Sequence, residues 1–85
     1  MNIVFHKKFK KLYSKTPSKI QKRFIEQLDL FCTDPFDPTL NNHALSGPLK
    51  NYRSINVTGD IRAWYEPIDN DIVFMKIGSH SELYT

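Results

Sequence analysis

Residues 52–78 read YRSINVTGDIRAWYEPIDNDIVFMKIG, and three strands stand out in them. YRSINV, IRAWYE and DIVFMKIG carry the β-branched and aromatic residues that suit a pleated, half-buried surface. TGD and PIDND, between them, have the composition of turns. Connections this short join antiparallel neighbours, because a parallel pair needs a crossover of about a dozen residues or more.

Working back toward the N-terminus, NIVF (2–5) is a fourth strand candidate. Phe9, Leu12 and Tyr13 then recur at i, i+3 and i+4 among lysines, the pattern of a short amphipathic helix. Thr16-Pro17 reads as an N-cap followed by proline at the first helical position. The second helix would carry Ile20, Phe24, Leu28 and Phe31 on one stripe, widened by Ile25 and Cys32. Asp34-Pro35 and Asp37-Pro38 end it, since the residue before proline avoids the helical region. The expected order is β-α-α-β-β-β: an α+β fold with two N-terminal helices packed on one face of a mostly antiparallel four-stranded sheet. Phe9, Leu12, Phe24, Leu28 and Phe31 are expected to pack on that sheet, leaving its other face more open. The connection PFDPTLNNHALSGPLKN, 35–51, is long for so small a domain, and long irregular connections tend to be functional.

A chain of 85 residues with 40% hydrophobic content is expected to form one globular domain spanning 1–85. Its single cysteine, Cys32, excludes an intramolecular disulfide framework and fits a reducing compartment. With no apolar run of membrane-spanning length, a soluble cytoplasmic protein is expected, and no membrane partner. The charge is unevenly spread. Residues 1–25 hold eight Lys or Arg and no acid, whereas 26–85 hold four bases and nine acids. A basic segment on an acidic remainder suggests a polyanionic partner, or else a solvated lysine face that keeps a helix in solution.

The chemistry available is limited. The three glycines, Gly47, Gly59 and Gly78, are isolated, so there is no Gly-rich phosphate loop. No Cys, His or carboxylate pair has recognised metal-ligand spacing, so neither a metal nor a cofactor is expected. No G-x-S-x-G elbow surrounds a serine. What remains is a set of polar groups in the long connection and at strand ends: His43, Lys50, Arg53, Asp60, Arg62, His80 and Tyr84. Such a set suits metal-free cleavage of an RNA phosphodiester. That reaction needs a base for the 2′-hydroxyl proton, an acid for the leaving 5′-oxygen, and cations for the charged phosphorane. Histidine serves as acid or base near neutral pH, and the guanidinium fork matches phosphate oxygens.

HALSGPLKNYRSINVTGDIRAWYE (43–66) followed by KIGSHSELY (76–84) resembles the toxins of the RelE superfamily, most closely the YafQ-like branch. The shared features are an H-x-L-x-G loop, a Y-R strand entry, a G-D turn and a terminal G-[ST]-H-x-x-L-[FY], in that order. The resemblance implies a toxin of a type II toxin–antitoxin pair that cleaves mRNA in the ribosomal A site and is neutralised by a cognate antitoxin. It also implies that His43, Asp60, His80 and Tyr84 form the catalytic set. Arg62 falls where related toxins keep a phosphate-binding arginine; Lys50 and Arg53, from the polar set at the strand ends, are expected as further substrate contacts. In one departure, Asn56 stands where the branch carries a second strand histidine; it can hydrogen-bond but cannot act as a base, which leaves that role to His43 or Asp60. Two other readings stay open: a ParE-like toxin that binds DNA gyrase, and an inert member that only binds an antitoxin or RNA. On a purely structural reading of the tail, Leu83 and Tyr84 would cover the core edge and His80 would cap a backbone carbonyl.

Overall fold

The second half of the chain pairs as its short turns require. In a computed structural model describing residues 1–84, β3 (Arg53–Asn56), β4 (Ile61–Ile68) and β5 (Asp71–Ser79) are consecutive antiparallel neighbours. Asp69 takes φ 54° in the β4–β5 turn, a left-handed conformation that aspartate tolerates through local hydrogen bonding. On the outer side of β5, β1 (Asn2–Phe5) runs parallel, with Ile3 opposite Ile72 and Phe5 opposite Phe74. A parallel partner is possible here because α1 (Lys7–Ser14) and α2 (Ser18–Thr33) fall within the crossover.

The sheet has five strands and not four, in the order β1-β5-β4-β3-β2. The additional strand, β2 (His43–Ala44), comes from the long connection and pairs with β3. Two residues are too few to show an alternating pattern. The rest of that connection holds two 3₁₀ turns, Pro38–Leu40 and Gly47–Leu49. A one-turn helix, α3 (His80–Leu83), follows β5.

One sheet face meets the two long helices. Phe9, Phe24 and Phe31 pack there with Ile55, Val57, Ala63, Tyr65, Phe74 and Ile77. Phe24 and Phe74 meet edge to face, 5.4 Å between centroids, a geometry that aligns the positive ring edge with the negative face. Gln27 is buried among them and donates to the Asn56 carbonyl at 3.0 Å, tying α2 to β3. The stripe is narrower than its apolar content suggests. Leu28 is partly buried against the core, but Leu12 and Ile25 are 38% and 55% exposed and Cys32 is exposed. Ile25 sits one residue, about 100° of helix, beyond Phe24 and so turns away. Nor does Thr16 cap α2: its hydroxyl donates back to the Leu12 carbonyl at 2.9 Å, and Pro17 occupies the N-cap position without a side-chain bond.

The opposite face carries a smaller cluster of Leu45, Trp64 and Leu83, flanked by Leu49 and Tyr52. A β-bulge sets it up. Tyr65 pairs with Phe74 and Trp64 with Lys76, so Met75 is the extra residue. Without that insertion Phe74 and Lys76 would share a face. With it, Phe74 enters the core while Lys76 comes round beside Trp64. Among the described residues no helix is long and apolar enough to cross a membrane.

Candidate active site

Residues directly opposite one another in a sheet project from the same face. The register therefore places His43, Ser54, Trp64 and Lys76 in one row across β2, β3, β4 and β5, on the face away from the long helices. Asn56, Arg62 and Gly78 form the next row on that face. His43 and Trp64 are two strands apart, about 10 Å at the usual inter-strand spacing. Ile61 pairs with Ser79 at the end of the ladder, so Asp60 and His80 are the residues that flank its last pair.

His43 is exposed, and its Nδ1 lies 2.8 Å from the Asn41 carbonyl oxygen. A carbonyl only accepts, so Nδ1 carries the proton, and in the neutral ring Nε2 holds the lone pair. No described residue hydrogen-bonds Nε2. Asn41 presents its carbonyl from a left-handed conformation, φ 46°, at the end of the first 3₁₀ turn. The ring is thus held in the tautomer a general base needs. His6 has the opposite arrangement: its Nδ1 accepts from the Lys8 N–H at 3.0 Å and caps α1.

α3 is nucleated by a capping box. The Glu82 N–H donates to Ser79 Oγ at 3.3 Å, and Glu82 Oε1 accepts from the Ser79 N–H at 2.7 Å. The Ser79 N–H, and after it the Ser79 hydroxyl, hold the Glu82 carboxyl below its ordinary value. Gly78 makes room for this: a Cβ there would sit 3.2 Å from Glu82 Oε1. The single turn brings His80 against Tyr84, 4.6 Å between centroids with the planes tilted by 42°, and sets Tyr84 edge to face with Trp64 at 4.9 Å. Leu83 is buried, whereas Tyr84 is half exposed and offers the rest of its ring to solvent.

Arg62 Nη1 donates to the carbonyls of Thr58 and Gly59 at 3.2 and 3.1 Å, which fixes the guanidinium over the β3–β4 turn. No acid neutralises it; the one ion pair among the described residues is Arg23–Glu26. Asp60 is exposed in that turn, its N–H bonded to Thr58 Oγ1. The structure thus gathers Asp60, Arg62, His80 and Tyr84 at one end of the face, with His43 across the sheet from Trp64.

One expected substrate contact, Arg53, lies elsewhere. Arg53 is on the long-helix side, opposite Tyr65; its Nε donates to Asn42 Oδ1 at 2.9 Å and its guanidinium lies over the Phe36 ring. Lys50 is exposed at the end of the second 3₁₀ turn, its ammonium group unbonded among the described residues. Asn56 Oδ1, by contrast, is buried without a hydrogen-bond partner. The place of Lys76 is not legible in the sequence, because a bulge has no reliable signature, whereas Ser79-x-x-Glu82 spells out the box that builds α3. Among the described residues no three His, Cys, Asp or Glu side chains converge as metal ligands would.

This fold is shared with RelE-type toxins. The YoeB/ParE toxin from Agrobacterium tumefaciens superposes with a TM-score of 0.76 at 16% identity, over 94% of this chain and 99% of that one. This chain itself belongs to the YafQ family: the model for the bacterial toxin of type II toxin–antitoxin systems, YafQ, matches residues 1–85. A copper-bound mutant toxin from Helicobacter pylori is 28% identical, with a TM-score of 0.76 over 98% of both chains. YafQ in the E. coli DinJ–YafQ complex is 22% identical, with a TM-score of 0.74 over 99% of this chain and 98% of that one. Comparison with the sequences of curated proteins found no match.

Proposed function

We propose that this toxin is a ribosome-dependent mRNA endoribonuclease of the cytoplasm, held inactive by a cognate antitoxin. The observation that carries the reading is the polarised His43 ring, its Nε2 lone pair unbonded on the same sheet face as Arg62 and α3. In this mechanism Nε2 takes the proton of a 2′-hydroxyl, and the resulting oxyanion attacks the adjacent phosphorus. Arg62 balances the charge that builds on the phosphorane oxygens. His80, as imidazolium, gives its proton to the departing 5′-oxygen. The products are a 2′,3′-cyclic phosphate and a 5′-hydroxyl, with one proton gained by His43 and one lost by His80. Tyr84 supplies a partly exposed ring on which a base stacks, and so orients the scissile bond. Asp60, beside His80 at the ladder's end, assists electrostatically.

The partner reading is supported by the E. coli relative, which is in complex with DinJ. Mapping mRNA 5′ ends after brief induction tests the function. New ends inside translated reading frames, absent with His43→Ala and His80→Ala, are expected. Growth arrest with intact mRNA would favour gyrase binding instead.

A further inference from the structure

We propose that the hollow between α1 and the bulge of β5 is a subsite for one nucleotide of the RNA strand; this rests on the ribonuclease reading above. The hollow holds about 200 Å³ and is lined by Lys8, Leu49, Tyr52, Trp64, Met75 and Lys76. That is below the roughly 300–1,000 Å³ of a pocket for a whole drug-sized ligand. One base with its phosphate is a suitable occupant.

The lining matches those two chemistries. Tyr52 is half-buried and nearly parallel to Trp64, 20° between planes and 6.4 Å between centroids, and forms an aromatic wall. Lys76 Nζ lies 5.8 Å from the Trp64 ring centroid, and Lys8 reaches the rim from the first turn of α1. Neither lysine forms an ion pair among the described residues. Two ammonium groups beside an aromatic wall are what a single-stranded nucleic acid requires: cations for the backbone and a flat ring for the base. Both lysines also line the adjoining hollow of about 380 Å³, with Lys11, Leu12, Ile77, Glu82 and Leu83. Glu82 is the one acid there, and its carboxylate is engaged by the Ser79 N–H.

The position suits an extended strand. Trp64 is the floor of this hollow, and it also meets the ring of Tyr84, which in turn contacts His80. A strand whose scissile bond lies near His80 would place a neighbouring nucleotide against Tyr52. The bulge at Met75 has a use in this view, since it is what brings Lys76 to this face.

Trp64 is the only tryptophan and reports directly. Titrating the whole protein with a 2′-O-methyl trinucleotide, which cannot be cleaved by 2′-attack, is expected to change Trp64 fluorescence to saturation. Anisotropy of the same probe with a 5′ dye gives the affinity independently. Tyr52→Leu should weaken binding roughly ten-fold. Lys8→Gln and Lys76→Gln should each weaken it several-fold and lower the salt slope by about 0.7. Lys19→Gln, which removes the same charge outside this hollow, should change affinity less than two-fold. Binding without a Trp64 signal, or unaltered affinity in folded Lys76→Gln and Tyr52→Leu, would overturn the proposal. If Lys8→Gln/Lys76→Gln cuts mRNA on ribosomes with unchanged KM, the subsite falls and the ribonuclease reading stands. If wild-type protein cuts no mRNA, the ribonuclease reading falls, and the trinucleotide titration still decides for or against the hollow.

Discussion

His80 and Tyr84 are in ring contact across one turn of α3, 4.6 Å between centroids with the planes tilted by 42°, and Tyr84 in turn meets Trp64 edge to face. The histidine is therefore positioned by the sheet through a tyrosine, although it is itself exposed. If His80 is the general acid proposed above, a role typically worth about 10²–10⁴ in rate, His80→Ala should lose roughly that in single-turnover cleavage on ribosomes. Ribosome affinity should hold within a few-fold, because the proton is needed only in the transition state. His80→Gln keeps hydrogen bonding without proton transfer and should fare little better. Rescue by glutamine would make the residue a structural cap.

The capping box makes α3 acid-sensitive. Glu82 is depressed in the folded protein by the Ser79 N–H, so its contribution is complete above the carboxyl value of the unfolded chain. It is lost as pH falls through the lower, folded value. Amide exchange at Leu83 and Tyr84 should accelerate only in that acidic window, and Glu82→Ala, which removes the acceptor, should show the fast exchange at neutral pH. Equal protection in both proteins at neutral pH would mean that the box does not hold the turn.

Burial ranks the helix residues. Phe24 is 1% exposed and packed against Phe74, so Phe24→Ala should cost about 3–5 kcal/mol in denaturant unfolding. Leu12→Ala, on a side chain 38% exposed, should cost less than about 1 kcal/mol. Equal losses at the two sites would contradict the assigned α1 face.

The hairpins of β3, β4 and β5 were legible because turn chemistry and short connections leave one pairing mode, and the YafQ-type motifs pointed to His43, Asp60 and His80. The parallel place of β1 was not legible: pairing across two helices depends on core packing that no local pattern encodes. The face that Arg53 occupies was legible too. Ile55 reads as core, and strand alternation puts Arg53 on that same long-helix face, away from His43. Thr16 misled because its hydroxyl found the Leu12 carbonyl first, a competition that Ser and Thr often enter.

Asn56 tests the cost of the site. An unpaired buried acceptor costs about 1–3 kcal/mol, and Asn is a poor strand former. Asn56→Val should therefore raise Tm by several degrees, at about 4–8 °C per kcal/mol for a domain this size. A lower Tm would show that the amide is stabilising after all.

In the proposed mechanism two histidines cleave RNA, one taking the 2′-hydroxyl proton and the other protonating the departing 5′-oxygen. End-group analysis of mRNA cut on ribosomes by the wild-type toxin addresses it most directly. A 2′,3′-cyclic phosphate upstream of the cut and a 5′-hydroxyl downstream are expected. A 5′-phosphate with a free 3′-hydroxyl would contradict that mechanism, because the leaving group would then be the 3′-oxygen, which attack by the neighbouring 2′-oxygen does not expel.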